Sequence, residues 1–449
     1  MTATAADPLS NLWPLTTSRN DDGVLCVGGI PLPQIAAAVG TPTYIYDVAT
    51  LRSAAATFRD AFARHYPKSR VVFAGKAFLS TALIRILREE RLGLDVVSGG
   101  ELFAGLQGGM PAHEISMHGN NKSREELEEA IAAGIGKIVI DNEDEIDLLI
   151  ELTRDLPAPV PVMLRLNPGV DVHTHKKIST GLADSKFGLP ISSGQAAEAV
   201  ARIVAVPSLK LLGYHAHVGS QLFEADAILA AIDEQLAFAA AMRDAHGVEL
   251  AHLSPGGGFG IAYLGSDRPM AIESWMRMLG EAIIRGCRQR QLDLPVVTIE
   301  PGRAIAGPAG IALYTVGARK VLPGIRTYVS VDGGMADNIR PTLYDAVYSA
   351  DLVASAQDRP RETVTIAGKF CESGDVLIER IDLPVLAPGD LLALPAVGAY
   401  CYAMASNYNF ARRPAVVFIE DAVATVVRRR ETHADLLGLD VTNVLQLSS

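Results

Sequence analysis

A lysine directly follows a buried apolar run in the segment VVFAGKAFLS, residues 71–80. Alternation along a strand would place Lys76 on the same face as Val72 and Ala74, whose small apolar side chains would leave its amine poorly solvated. Such an amine is nucleophilic and suited to Schiff-base chemistry with a carbonyl substrate or an aldehyde cofactor. The alternative is an ion-paired structural lysine whose stem carries the charge to water.

Polar residues also end the other apolar runs of the first 300 residues. They are Asp95, Ser98, His118, Asn120, Arg165, Asn167, His215, His217, the glycines from Gly256 to Gly258, Glu300 and Arg303. A packed core would not place such a set at one rim, so we interpret it as the strongest functional signal in the sequence.

The run SPGGGFG places three glycines after a strand, where backbone N–H groups can approach a phosphate. A tight turn is the alternative, and Ile261 replaces the third glycine of the dinucleotide fingerprint.

The segment IEPGR supplies Glu300, which needs a cation if it is buried and ionised. A protonated pyridine nitrogen is one such cation. A salt bridge to Arg303 is the alternative.

His215 and His217 alternate on one predicted strand, as metal-binding pairs do in some barrel hydrolases. A metal site needs more ligands, so we favour an imidazole that packs against a flat ring and expect no metal. A nucleophilic lysine, a phosphate nest, a stacking histidine and a pyridinium-binding glutamate together predict a pyridoxal phosphate site.

Eight strand candidates must position these groups, and helical patterns separate them. The candidates are 70–77, 93–99, 114–120, 137–142, 161–169, 211–219, 251–258 and 296–302. Eight such units predict an α/β fold of the TIM-barrel type with the site at the carboxyl ends of the strands, although a doubly wound sheet has a similar pattern.

Helices are predicted at 81–90, 123–134, 143–156 and 273–291, and Ser123 with Glu126 forms a capping-box pattern. After Gly310 the pattern changes to strands without long helices. We therefore predict a barrel over 48–308 and a mostly β domain from 309–449, joined by the N-terminal segment 1–47.

Composition excludes several classes of protein. The formal net charge of -11 disfavours nucleic acid or anionic membranes as partners. Prolines interrupt the apolar N-terminal stretch before it could span a bilayer, and no targeting signal is recognisable. Four widely separated cysteines lack zinc or disulfide-scaffold spacing, which favours a reducing cytoplasm.

Ordered segments along almost the whole chain resemble the fold type III pyridoxal-phosphate decarboxylases, and within them the branch that acts on diaminopimelate. The segments are FAGKAF, LDVVSGGEL, HGNNK, LRLNPGVDVHTHKKISTG, DSKFGL, HVGSQ, GGGFGIAY, EPGR, SVDGGMADNIRPTLY, GKFCESGD and GAYCYAMASNYN. Ser254 and Pro255 depart from the pattern, since an aliphatic pair is more usual there. A second departure is the absence of an asparagine after Lys76 and Ala77.

The resemblance implies roles for residues at matching positions. Lys76 would link to pyridoxal phosphate, His217 would stack on its ring and Glu300 would pair with its ring nitrogen. The implied cofactor set is Lys76, Asp95, His217, Ser220, Gly256, Gly257, Gly258, Glu300, Gly302, Arg303 and Tyr400. The implied substrate set is Arg303, Arg340, Tyr344, Glu372 and Tyr400.

Cys371 and Glu372 would enter from a neighbouring subunit, so the resemblance implies a homodimer with shared active sites. Cys371 or Lys76 would return a proton after carbon dioxide leaves. The implied reaction is decarboxylation of meso-2,6-diaminopimelate to L-lysine, the last step of lysine biosynthesis.

Three alternatives are another basic amino acid as substrate, a racemase and a non-catalytic relative that binds the cofactor. Glu300 disfavours the racemase, in which an arginine would face the ring nitrogen. The presence of Lys76 and Cys371 disfavours the non-catalytic relative.

Overall fold

The computed structural model describes residues 12–170, 185–355 and 358–442, which divide into two compact units. The barrel unit comprises Thr50–Ala262 and Ser266–Pro308. The β unit comprises the chain up to Ala49, Tyr263–Gly265 and the chain from Ala309. Residues 171–184, which carry parts of two segments that resemble the decarboxylases, lie outside the described residues.

The barrel unit is a closed ring of eight parallel strands, each paired with the next along the chain. The ring closes where Val297–Ile299 of the last strand pairs with Ser69–Val71 of the first. Barrel strands 1 to 8 are, in chain order, Ser69–Ala74, Gly93–Val96, Ile115–Met117, Lys137–Ile140, Val160–Asn167, Leu209–His215, His252–Gly256 and Val296–Ile299. The predicted TIM barrel is confirmed, and the doubly wound sheet is excluded.

Every barrel strand ends two to four residues before its predicted end. Strand 1, for example, stops at Ala74 instead of Ala77. The extra residues leave the ladder to form the rim, because glycines and polar side chains there turn towards helices and loops. Apolar runs therefore predict the strands well, but the rim residues cannot be separated from them by hydrophobicity.

Helices follow the strands and cover the barrel. They are Val48–His65, Thr81–Glu89, Gly99–Gln107, Arg124–Ala133, Glu143–Thr153, Gln195–Val204, Asp226–His246, Ile272–Arg290 and the short Arg303–Ala306. The predicted capping box is present, since the Ser123 side chain accepts from the Glu126 N–H and Glu126 accepts in return. Aromatic rings pack in the barrel unit, with Phe259 5.4 Å from Trp275 and 5.1 Å from Phe58, measured between ring centroids.

The β unit contains a large mixed sheet with a smaller three-stranded sheet. The large sheet runs through Val376–Pro384, Arg361–Ala367, Arg326–Val331, Gly310–Leu322, Thr43–Asp47, Ala415–Glu420 and Val423–Arg428, with Leu391–Pro395 and Asp351–Leu352 joined at its side. The small sheet contains Ser18–Arg19, Leu25–Val27 and Ile30–Pro31.

The N-terminal segment contributes a central strand to this unit. Thr43–Asp47 pairs antiparallel with Gly310–Leu322 and parallel with Ala415–Glu420. Its Ile45 is fully buried with Ile311 and Val417. The elements that were not predicted from sequence include the helix Leu32–Val39 and the strand Val376–Pro384. No helix in the described parts of the chain has the length and apolar character needed to cross a bilayer.

Candidate active site

The carboxyl ends of the barrel strands gather buried polar side chains. Asp95 lies in strand 2, Arg165 in strand 5, and His215 ends strand 6. His118 and Glu300 follow strands 3 and 8 directly. Parallel strands bring these ends to one rim, so residues far apart in sequence become neighbours. Ser98, by contrast, caps the helix Gly99–Gln107 by accepting from the Glu101 N–H.

Lys76 lies in a single 3₁₀ turn, Gly75–Ala77, that follows strand 1. Its side chain is exposed, whereas Gly75 and Ala77 are buried. The prediction that Lys76 shares an apolar strand face with Val72 and Ala74 is therefore wrong, because the strand ends before it. The turn instead points the amine out of the barrel packing, and its charge acts on Asp95 and His217.

Glu300 is the best-paired carboxylate of the rim. His215 Nε2 lies 3.0 Å from Oε1 and 3.1 Å from Oε2, and Ser254 Oγ donates to Oε1 at 2.5 Å. Burial acts to raise its pKa, but His215, His118 and these hydrogen bonds outweigh burial and hold the pKa well below its usual range. Glu300 therefore presents a buried negative charge.

Asp95 lies close by, and its pKa is shifted in the opposite direction. Burial and the charge of Glu300 raise its pKa well above the usual range. His118 Nε2 is 3.3 Å from Asp95 Oδ1, and burial lowers the pKa of His118 to about 4. Environments that shift the pKa values of two neighbouring carboxyl groups in opposite directions favour different roles for the two groups.

His118, His215 and Glu300 also bring possible metal-binding atoms within 4.8 Å of one another. The histidine pair considered from sequence was a different one, since strand 6 ends at His215 and His217 lies beyond it. His217 Nδ1 accepts from the Gly257 N–H at 3.3 Å, and burial lowers the pKa of His217 well below its usual range. Its imidazole is therefore neutral, as suits a ring that packs against another flat ring.

Glycine is required at these positions because neighbouring backbone atoms lie too close to leave room for a side chain. A Cβ on Gly257 would lie 2.2 Å from the carbonyl oxygen of Glu300, and one on Gly258 would lie 2.4 Å from that of Gly219. Gly256 and Gly258 also have positive φ values of 79° and 103°. This conformation leaves backbone amides at the rim without side chains to block a ligand.

Ser220, Gly302 and Arg303 lie around the same rim. Arg303 Nη2 donates to Ser220 Oγ at 2.9 Å. A Cβ on Gly302 would lie 3.0 Å from Ala77 Cβ, so the start of the short helix Arg303–Ala306 lies against the Lys76 turn. The barrel residues thus fit pyridoxal phosphate, since they combine a reachable amine, a glycine cradle and a buried carboxylate suited to a protonated ring nitrogen.

Arg340 and Tyr344 bound a short helix in the β unit. Arg340 is 6% exposed, donates through Nη1 to the hydroxyls of Tyr263 at 3.0 Å and of Tyr348, and stacks over the Tyr263 ring at 4.9 Å. Neither tyrosine was predicted from sequence, although Tyr263 ends the matched segment GGGFGIAY. The available signal for Tyr348 is its spacing of four residues from Tyr344.

Cys371 and Glu372 lie in an exposed turn of the β unit. The Cys371 N–H donates to Asn409 Oδ1 at 3.0 Å, and Asp375 holds the base of the turn by accepting from the Phe370 N–H at 2.8 Å. Tyr400 is half-buried and has a φ of 62°.

Comparisons with known proteins agree with this geometry. Residues 48–307 match the family described as "Pyridoxal-dependent decarboxylase, pyridoxal binding domain". The diaminopimelate decarboxylase of Bacillus subtilis (strain 168) is 45% identical over 426 residues, which is 95% of this chain and 97% of that protein.

Solved structures extend the similarity. The diaminopimelate decarboxylase from M. jannaschii in complex with L-lysine has a TM-score of 0.88 at 32% identity, covering 96% of this chain and 98% of that one. A lysine/ornithine decarboxylase from Vibrio vulnificus, at 23% identity and a TM-score of 0.73 over 87% of this chain and 97% of that one, shares the fold. By its sequence, its barrel and these relatives, this chain belongs to the pyridoxal-dependent decarboxylases and, among them, to the diaminopimelate decarboxylase family.

Proposed function

We propose that this chain decarboxylates meso-2,6-diaminopimelate at its D centre and releases L-lysine and carbon dioxide. The observation that carries the proposal is Glu300, which directly follows strand 8 at the barrel rim and is held there by His215 and Ser254. Pyridoxal phosphate, when bound, supplies an electron sink for the electron pair that remains when carbon dioxide leaves. A carboxylate opposite the ring nitrogen favours its protonated form, and so favours decarboxylation.

The barrel residues have distinct tasks in this proposal. Lys76 Nζ would hold the cofactor covalently and be displaced by the substrate amine. His217 would pack on one face of the ring. The phosphate would be held by Ser220 and by the end of the glycine run at Gly258, which Gly302 and Arg303 adjoin. Asp95, whose raised pKa favours its protonated form, would lie near the cofactor ring without adding a second negative charge.

The distal end of diaminopimelate carries both a carboxylate and an ammonium, and the proposed partners match both. Arg303 and Arg340 would donate to the carboxylate, with Tyr344 and Tyr400 beside them, and Glu372 would accept from the ammonium. Arg340 is suited to this task because its observed partners, Tyr263 and Tyr348, are neutral hydroxyls that leave its charge available.

We propose further that the active unit is a homodimer in which a second copy supplies Cys371 and Glu372. The exposure of the Cys371 turn in the single chain supports this proposal. Cys371 Sγ–H would return a proton to the carbon that lost its carboxylate, with Lys76 Nζ–H as the alternative donor. In this arrangement the barrel over 48–308 binds the cofactor, and the remaining segments form the dimer contact.

Product analysis tests the reaction itself. The purified chain, supplied with pyridoxal phosphate, should convert meso-diaminopimelate to equal amounts of L-lysine and carbon dioxide. An unpaired arginine in a site built for a carboxylate costs roughly 2 to 5 kcal/mol, so lysine and ornithine should react far more slowly. Arg340→Ala should reduce turnover of diaminopimelate much more than turnover of either. Equal or better catalytic efficiency with ornithine, lysine or arginine would overturn the substrate assignment.

Subunit exchange tests the shared site. Lys76→Ala and Cys371→Ala should each be inactive alone, and their mixture should recover activity because each heterodimer contains one site with both residues intact. Heterodimers that form but show no activity would contradict the proposal.

We also propose a cytoplasmic location, supported by four cysteines that are all free.

A further inference from the structure

Ser254 lies at the carboxyl end of strand 7, directly before the proline and the glycine run. It is 1% exposed, and its hydroxyl has two partners on opposite sides. The Gly256 N–H donates to Ser254 Oγ at 3.1 Å, and Ser254 Oγ donates to Glu300 Oε1 at 2.5 Å. Because a hydroxyl has one proton, the amide donor on one side directs that proton to the carboxylate on the other.

The backbone of Ser254 is fixed as firmly as its side chain. Its carbonyl oxygen accepts from the Ala216 N–H at 2.8 Å and from Gln235 Nε2 at 3.0 Å. Gln235 is fully buried in the helix Asp226–His246, so this helix and the residue that directly follows strand 6 both hold Ser254. A donor held this firmly can fix the orientation of the carboxylate that it contacts.

We propose that Ser254 is a positioning residue that, with His215, fixes the orientation of the Glu300 carboxylate opposite the cofactor ring. This inference rests on the proposed function, because it deepens the role of Glu300 there. The 2.5 Å separation lies in the range of a charge-assisted O–H···O⁻ bond, so the hydroxyl binds the ionised form more strongly than the neutral form.

The surroundings explain why a second donor matters. His215 Nε2 lies 3.0 Å from Glu300 Oε1; burial lowers the pKa of His215, and the charge of Glu300 opposes that shift. Its Nδ1 has no hydrogen-bond partner among the described residues, which places the proton on Nε2 towards Glu300. The other titratable groups that influence this cluster are Asp95, His118, Lys137, Arg165 and His217. Without Ser254, His215 would be the one side chain of the described residues that is hydrogen-bonded to Glu300.

The contact depends on the hydroxyl of Ser254, because an aliphatic residue at position 254 would have no proton to donate to Glu300. Ser254 contacts both Gly256 of the glycine run and Glu300, which follows strand 8. It therefore connects the expected phosphate end of the cofactor site to the expected ring-nitrogen end.

The test is a carbon-13 NMR titration of cofactor-free protein labelled at glutamate carboxyls, with Glu300→Gln used to assign the signal. Ser254→Ala should raise the midpoint of the Glu300 titration by about one pH unit or more, the effect of losing one hydrogen bond to a charged group. Ser254→Thr, which keeps the hydroxyl, should stay close to the native titration. Ser116→Ala removes a buried serine hydroxyl from strand 3 and is the matched control.

Turnover gives a second readout. Ser254→Ala in the holoenzyme should lower kcat about 10-fold with little change in KM, since the loss acts through Glu300 and not through substrate contacts. If Ser254→Ala does not fold, Ser254→Cys keeps the volume with a weaker donor and should shift the titration in the same direction. An unchanged Glu300 titration, or an equal shift in Ser116→Ala, would overturn the inference. Because the titration needs no substrate, it stands independently of the proposed reaction.

Discussion

Each unit contains a deeply buried carboxyl group, and the two differ in charge. Glu300 in the barrel unit has a pKa well below its usual range, because imidazoles and a hydroxyl outweigh its burial. Asp337 in the β unit accepts from the Tyr314 hydroxyl at 2.6 Å and the Gly334 N–H at 2.9 Å, yet burial, with Asp375 and Asp332 nearby, raises its pKa to about 7. Burial alone therefore does not decide ionisation; the neighbouring charges and donors do.

The difference separates a chemical role from a structural one. At the barrel rim, His215 and Ser254 hold the Glu300 carboxylate, which suits a site that receives a cationic ring. Asp337 ties a glycine turn to the sheet, and its backbone oxygen also accepts from Tyr44 at 2.8 Å. We therefore expect changes at the barrel rim to affect turnover and changes around Asp337 to affect stability.

The largest effect should come from Lys76→Ala. Turnover should fall by at least about 10⁴-fold, because covalent attachment of the cofactor and one candidate proton donor are lost together. Borohydride reduction followed by peptide mass analysis should locate the cofactor on Lys76 in the native protein and nowhere in the variant. Lys68→Ala is the control, since this exposed lysine precedes strand 1 and donates to the Leu294 carbonyl. Cofactor fixed to another lysine in the native protein would contradict the assignment.

Neutralising each buried carboxyl group tests the comparison directly. Glu300→Gln should lower kcat by roughly 10²- to 10³-fold, the usual cost of removing one preorganised electrostatic group, while Lys76 still binds the cofactor. Asp337→Asn should leave kcat within about 3-fold of the native value. Asp337 makes structural contacts within the β unit, so its loss should act on stability and not on turnover. Steady-state kinetics on both variants measure this contrast. Similar losses in kcat would break the distinction between the two units.

Stability should depend on pH through Asp337. Its folded-state pKa of about 7 lies above that of an unfolded aspartate, so the folded chain keeps a proton that the unfolded chain has released. The resulting stability is complete at acid pH and is lost as pH rises through 7.

Between pH 5 and 7 this one group should remove about 2 to 3 kcal/mol of unfolding free energy. Urea unfolding of cofactor-free protein should show this loss as the difference in pH dependence between the native chain and Asp337→Asn, in which the contributions of the other titrating groups cancel. Glu300→Gln should keep the native slope in this range, because the depressed pKa of Glu300 places its titration at lower pH. Parallel curves for the native chain and Asp337→Asn would argue against a raised pKa.

The smallest effect should come from Tyr314→Phe. Loss of its hydrogen bond to Asp337 should cost about 1 to 2 kcal/mol at pH 8 and less at pH 5, because the hydroxyl favours the ionised carboxylate. Unfolding midpoints at the two pH values give the comparison, and kcat serves as the control that should not change. A larger loss at pH 5 than at pH 8 would reverse the assigned role of the hydroxyl.

The sequence predicts the barrel well because alternating apolar strands and amphipathic helices are encoded locally. It also predicts Glu300 and the glycine run, since each follows a strand directly. The position of Lys76 in a turn could not be predicted, because Gly75–Ala77 continues the apolar run of strand 1. Ser254 was missed for another reason: a serine before proline and glycine is typical of a turn, and its contact with Glu300 arises only when strands 7 and 8 pair.

Nitrogen-15 NMR of ring-labelled pyridoxal phosphate bound to the protein tests the central claim, that an ionised Glu300 faces the ring nitrogen. The native holoenzyme should show a protonated ring nitrogen from pH 6 to pH 9, well above the pH at which the free cofactor loses that proton. Glu300→Gln should shift the signal to the unprotonated position while the cofactor stays attached at Lys76. An unprotonated nitrogen in the native protein, or an unchanged signal in Glu300→Gln, would contradict the account.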